Sequence, residues 1–372
     1  MLVERVPAFL VTGFDRPPME AAVLGLAWDL PSPVTVTHTV NTKEQLLTRV
    51  VSDITGVIEQ EIIHLDHACV HCAIREDIVP TLARLARSGR WESIVACLPA
   101  AADARQVCRL IGRDPQRAPL LRIAGVIAAF DGDDLEFDLT GDDLLADREL
   151  GVFEHDSRGI AEVSSQLIEY ADLVMVRNPE DTDDTSRESL AEGLAMARSL
   201  ARPGAMVVTD WPGFNGSQLM EGIHDHACAE DWVADVPAHH PAPDDAVWRL
   251  ELRSKRPLHP ERMVERIEDL GSGTFRSRGC FWVPTRPNWL CAWDGAGGQL
   301  SIGLGSRWNP DDSPVTHIVV TGLKAHGDPR QRIRDAFEAC LLTDDEITER
   351  GHAWEVWDDG LEPWLGEIHQ AA

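Results

Sequence analysis

Pro7-Ala8-Phe9-Leu10-Val11-Thr12-Gly13-Phe14-Asp15-Arg16-Pro17-Pro18-Met19-Glu20 opens the chain with an apolar run that stops at a glycine and passes into prolines and acid. A short apolar run bounded by Gly and Pro reads as a buried strand. A glycine-bearing strand near the N-terminus suggests a nucleotide fold, in which ligands sit beyond the carboxyl ends of parallel strands. The lysine that would reach a phosphate is missing from this stretch.

Further strand-like runs follow at Val34–Val40, Ser93–Cys97, Leu121–Ala128, Asp172–Arg177 and Ala205–Asp210. Helical stretches such as Asp77–Ser88 and Thr185–Leu200 lie between several of them. Strands alternating with helices point to a mainly parallel sheet covered on both faces. From Trp211 to Asp245 the texture turns to Gly, Pro and His, which reads as a linker. Beyond it come a strand at Val247–Leu252, a helix opened by Arg256-Pro257-Leu258-His259-Pro260-Glu261-Arg262, and strands at Gly279–Val283, Asn288–Trp293 and His317–Thr321. A last helix starts at Asp328-Pro329, a capping residue before proline. Its stripe is Ile333, Ala336, Phe337, Cys340 and Leu341. The expected organisation is an α/β domain over 1–212, a linker over 213–246, a small α+β domain over 247–355 and a tail over 356–372.

The chain has 372 residues and a formal charge of -28. That charge argues against grip on DNA, because neutralising phosphates takes clustered Lys and Arg. No run approaches the roughly 20 apolar residues of a membrane span, and no export signal is visible, so a cytoplasmic protein is expected. Eight cysteines over this length do not form a small disulfide framework. A close Cys pair in a reducing compartment reads as metal or redox chemistry.

That pair lies in Cys69-Val70-His71-Cys72-Ala73-Ile74-Arg75-Glu76-Asp77, a loop feeding a helix. Zinc takes four ligands from thiolate and imidazole, and Cys69, His71 and Cys72 offer up to three. Thiolates exclude Mg²⁺ and Ca²⁺ as natural occupants. The bland alternative is a reduced thiol pair with a packing role.

The order of these pieces resembles the CobW-like family of P-loop GTPases and metallochaperones, over nearly the whole chain. The family's Cys-x-Cys-Cys motif before an Arg-Glu-Asp helix start matches residues 69–77, with His71 replacing the middle cysteine. Arg256-Pro257-Leu258-His259-Pro260-Glu261-Arg262 and Arg276-Ser277-Arg278-Gly279-Cys280-Phe281-Trp282 match the family's C-terminal domain. The resemblance implies a P-loop NTPase-like sheet followed by a CobW C-terminal domain, with zinc and GTP as ligands. The family's Walker A form, G-x-x-G-x-G-K-T, falls on Gly13–Glu20, where Met19 takes the lysine position. Prolines remove N–H donors there, and Asp15 and Glu20 repel phosphate. GTP binding is therefore doubtful and hydrolysis is expected to be weak or nil.

The family's Glu-Thr-Ser-Gly falls on Cys97-Leu98-Pro99-Ala100. Its guanine-reading Asn-Lys-x-Asp survives in part as Asn178-Pro179-Glu180-Asp181, so Asn178 and Asp181 either read a guanine edge or shape a turn. Cys97, at the place of the lost glutamate, is a candidate fourth zinc ligand; His67 is the local alternative, and a small buried hydrophobe the bland one. His64 reads as part of a strand face. His224, His226, His239 and His240 read as loop histidines or as a loose metal tract. Trp282, Trp289, Trp293 and Trp308 are expected to fill the C-terminal core or, in part, to form a partner-binding face. Within the family the chain resembles the ribosome hibernation factor-recruiting Mrf subgroup. That implies the ribosome or a hibernation factor as partner; the rival is a GTP-driven metallochaperone with a client metalloprotein.

Overall fold

Every residue of β1 (Val6–Gly13) after Val6 is enclosed, because the strand lies inside an eight-stranded sheet with neighbours on both edges. The computed structural model describes residues 5–65, 70–150, 156–178, 183–209, 216–234, 243–309 and 313–367. Two compact units are present: 1–138, 143–158 and 163–233 in the first, 139–142, 159–162 and 234–372 in the second.

In chain order, β1 is followed by α1 (Arg16–Asp29), β2 (Pro33–Asn41), β3 (Leu46–Asp53), β4 (Gly56–His64), α2 (Val70–Ala73), a π-helical turn (Ile74–Ile78), α3 (Val79–Ser88) and β5 (Ser93–Cys97). Then come α4 (Ala104–Arg113), β6 (Leu121–Asp131), α5 (Leu135–Thr140), α6 (Ile160–Tyr170), β7 (Leu173–Arg177), α7 (Asp184–Leu200), β8 (Met206–Val208) and α8 (His226–Ala234). The sheet order is β4-β3-β2-β5-β1-β6-β7-β8. Six of these strands run parallel, and β3 and β4 extend the edge as an antiparallel hairpin. The central strands β5, β1, β6 and β7 are mostly apolar, since helices cover both faces of a parallel sheet. Phe9, Val11, Val95, Cys97, Ile127 and Met175 pack against Met19, Ala22 and Leu26 of α1.

The second unit holds β9 (Val247–Ser254), α9 (Pro260–Glu265), α10 (Ile267–Gly271), β10 (Phe275–Phe281), β11 (Trp289–Ala296), β12 (Gln299–Arg307), β13 (Thr316–Leu323), α11 (Arg330–Cys340), α12 (Asp344–Arg350) and α13 (Glu362–Leu365). Its antiparallel sheet has the order β12-β11-β10-β13-β9. The stripe Ile333, Ala336, Phe337, Cys340 and Leu341 is buried as expected, in a core with Trp248, Phe275, Phe281 and Trp293. Trp282, Trp289 and Trp308 are only partly buried, so Trp293 alone of the four enters that core.

Two differences from the expected organisation have clear causes. The segment 216–233 belongs to the first unit, because Glu230 of α8 binds Arg105 and Arg109 of α4. The start of the presumed tail also packs: Leu361 and Leu365 join the second core. Asp359 there is buried against Arg286 and accepts a 2.6 Å hydrogen bond from Thr285 Oγ1.

Candidate functional site

From β1 the chain crosses to β2 on one side, and from β6 it crosses to β7 on the other. The crevice between the carboxyl ends of β1 and β6 is thus the switch point where such sheets bind ligands. Only Phe14 and Asp15 separate β1 from α1. Prolines in the first helical turn are tolerated because the N–H groups there have no intrahelical partner. Gly13 is needed for packing, since a Cβ there would strike the Ala129 carbonyl of β6. Met19, at the lysine position, is buried in the apolar cluster beneath.

The crevice is lined with acid. Burial pushes the Asp15 carboxyl up, and Asp134 and Asp131 push it further against the pull of Arg148 and Arg177. Burial also pushes Asp138 up to about 7, although its Oδ1 accepts a 2.6 Å hydrogen bond from Arg148. Arg177 is held by Asp131. A phosphate here would face carboxylates whose neighbouring guanidinium groups are already engaged. Asn178 is exposed just after β7, at the same sheet edge; Asp181 lies outside the described residues.

The cysteine motif is on other elements. Cys69 and His67 lie outside the described residues. Val70, Ala73 and Ile74 are buried and anchor the start of a helix that runs through the π turn into α3. Such turns widen a helix locally and are frequent at functional sites. His71 is exposed and Cys72 half-buried; with Asp103, Gln106, Arg109 and Arg113 they line a cavity of about 430 Å³. His71 Nε2 lies 2.7 Å from Gln106 Nε2; an amide NH₂ only donates, so this ring nitrogen accepts. Cys97 points elsewhere. Strand alternation places it with Val95 on the α1 side, where burial pushes its thiol up to about 12. Among the described residues, His71, Cys72 and Cys97 do not gather into a three-ligand group. His64 ends β4 and is exposed.

Asp77, inside the π turn, is almost fully buried. It accepts a 3.0 Å hydrogen bond from His38 Nε2 of β2 and pairs with Arg49 of β3. Burial works upward on its carboxyl, but the His38 hydrogen bond and the Arg49 charge overcome it and hold the group below the usual range. Arg49 also holds Glu59 and Glu61 of β4. The motif helix is thereby tied to the hairpin at the sheet edge.

Sequence reasoning missed a further polar cluster around α8. His224 is buried, with Nδ1 at 3.0 Å from Asp172 Oδ2, and burial together with Arg202 lowers it to about 4. His226 Nδ1 lies 3.1 Å from the Tyr170 hydroxyl. Glu230 is held down at about 2: burial opposes this, and the Arg105 and Arg109 hydrogen bonds outweigh it. The only available signal was the i, i+4 pair Arg105 and Arg109, which names no partner by itself. His239 and His240 lie outside the described residues.

Residues 247–341 match the cobalamin synthesis protein cobW C-terminal domain family. That stretch runs from β9 to the end of α11. The CobW-like likeness extends beyond that domain. The zinc chaperone Rv0106 of Mycobacterium tuberculosis is 25% identical over 403 aligned residues, covering 97% of this chain and 94% of that one. The zinc-regulated GTPase metalloprotein activator 1 of Dictyostelium discoideum is 19% identical, covering 82% of this chain and 70% of that one. Among solved structures, the Zn(II)-bound YjiA GTPase from E. coli covers 91% of this chain and 100% of that chain, at 14% identity and a TM-score of 0.36. No described helix is long and apolar enough to cross a membrane.

Proposed function

We propose that this chain is a zinc-linked, CobW-like protein that acts through protein contacts, with little or no GTP hydrolysis. The observation that carries the reading is the full-length similarity to a zinc chaperone, joined to a Cys-x-His-Cys motif whose His71 and Cys72 open onto a cavity. Thiolate and imidazole donors suit zinc. Cys69, His71 and Cys72 would hold the ion as cargo or signal. Cys97 would join them only after leaving the core, so the fourth position is left to another donor or to a client's side chain.

A degenerate Walker A supports the second half of the reading. The β1–α1 turn is two residues long, Met19 is a core residue and the crevice is acidic. Without a cradle of N–H groups or a lysine, phosphoryl chemistry lacks its usual means. Asn178 and Asp181 then have no guanine edge to read.

Filling the motif ties its residues to neighbouring elements, and emptying it frees them to alter a surface. In the finer reading, that surface recruits a ribosome hibernation factor when zinc is scarce. In the alternative, it hands zinc to a client metalloprotein, as the name of the mycobacterial relative favours. Metal analysis of purified protein tests the core of the proposal: about one Zn²⁺ per chain, lost in Cys69→Ala/Cys72→Ala. Unchanged stoichiometry in that variant refutes the site. Calorimetry with GTP and Mg²⁺ should show no turnover-competent binding. Affinity capture from zinc-starved and zinc-replete cells then chooses between ribosomal proteins and a metalloprotein client.

A further inference from the structure

Among the described residues, β4 is the open edge of the large sheet: β3 pairs with one side of it, and no described strand pairs with the other. The strand is nine residues long and strongly exposed. Strand pairing fixes which side chains share a face. Cys97 pairs with Thr37, Thr37 with Val50, and Val50 with Gln60, so Gln60 and Ile62 lie on the face that α1 covers further in. α1 does not reach the hairpin side chains, since Ile62 is 61% exposed and Val57 65%. Exposed apolar side chains on a free edge form a template for another strand.

The sequence of the strand says which strand fits. Val57-Ile58-Glu59-Gln60-Glu61-Ile62-Ile63 reads nearly the same in both directions about Gln60. We propose that β4 is the seam of a homodimer, with a second copy of this chain pairing antiparallel along it and the two-fold axis at Gln60. Isologous contacts require a self-complementary patch, and this strand supplies one. Across the axis, Gln60 meets Gln60 of the second copy and Ile58 meets Ile62. Glu59 meets Glu61, and here like charges would oppose each other. Each protomer offsets them with its own cations: Arg49 holds both carboxylates and Arg84 also holds Glu59. A β-bulge opposite Val51 and Ser52 shifts the register near Val57, so the regular half of each copy meets the bulged half of the other and the pairing is most regular around Gln60. The opposite sheet edge, β8, has three residues, so pairing closes as a dimer and does not propagate.

Sedimentation velocity of the full chain over a concentration series tests this. The expected result is a reversible monomer–dimer equilibrium whose midpoint rises about tenfold or more in Ile62→Lys, which faces each new lysine with an apolar side chain. Because Ile62 is exposed, its circular dichroism and melting temperature should stay those of the wild type. As a second test, Gln60→Cys should give a covalent dimer on oxidation beyond the wild-type background, while Gly56→Cys should not. A wild type that stays monomeric throughout, or a dimer unmoved by Ile62→Lys with no Gln60→Cys cross-link, overturns the proposal. Zinc content is read independently, so failure here leaves the metal motif standing or falling on its own test.

Discussion

His38 and Asp77 meet at 3.0 Å across the boundary between β2 and the π turn, joining the sheet to the helix that begins at the cysteine motif. An ionised carboxylate only accepts, so His38 Nε2 donates. Arg49 binds the other Asp77 oxygen, completing a buried network.

Removing Asp77 leaves Arg49 and His38 buried without their shared partner. Asp77→Ala should lower unfolding stability by about 2–4 kcal/mol. Urea unfolding, with midpoint and slope fitted separately, reads the effect. A loss below measurement error would mean that Arg49 is satisfied by Glu59 and Glu61 alone.

Met19 is enclosed among Phe9, Leu26 and Val95. Met19→Lys should therefore cost stability, about 2–5 kcal/mol, instead of restoring phosphate binding. Thermal melts and GTP calorimetry on the same sample measure both halves.

Arg286 and Asp359 are both almost fully buried and paired. Arg286→Met should destabilise the protein by about 3–5 kcal/mol, since it strands a buried carboxylate, and Arg286→Met with Asp359→Leu should recover much of the loss. The double-mutant comparison decides whether the pair acts through charge or through packing.

Two buried groups give opposite pH slopes. Asp138 has its folded pKa raised to about 7. Below its unfolded value it is protonated in both states, and the associated stability is lost as pH rises through the folded pKa. His224 has its folded pKa lowered to about 4. Its contribution is full above the unfolded histidine value and is lost as pH falls through the folded pKa. Between about pH 4.5 and 6.5 the two largely cancel. Asp138→Asn should expose a loss of stability toward acid, and His224→Gln a loss toward base. Each slope is bounded by about 1.4 kcal/mol per pH unit. Melting temperatures at matched ionic strength across that window check both signs.

The inner strands were legible because full burial forces an uninterrupted apolar run; Ser93–Cys97 is β5 to the residue. β3 and β4 were not, because Arg49, Glu59 and Glu61 break the apolar pattern. Their charges are satisfied by one another and by Asp77, far away in sequence. α1 was hidden by Pro17-Pro18, which read as breakers when seen apart from a helix start. At the candidate site, residue type identified the metal motif, but strand parity decides where Cys97 points, and parity shows only once β5 is paired. The histidines near α8 looked like loop residues because their partners, Asp172 and Tyr170, come from other elements.

The two-residue turn between β1 and α1 bears on descent as well as chemistry. A missing lysine can return by a single codon change. The backbone is harder to restore, because the positions on which the Walker pattern falls, from Arg16 to Glu20, are already wound into the first turns of α1 and Met19 is packed in the apolar cluster. Rebuilding a phosphate loop would mean unwinding that helical start and lifting Met19 out of its cluster, a change of fold at the strand end and not of one side chain.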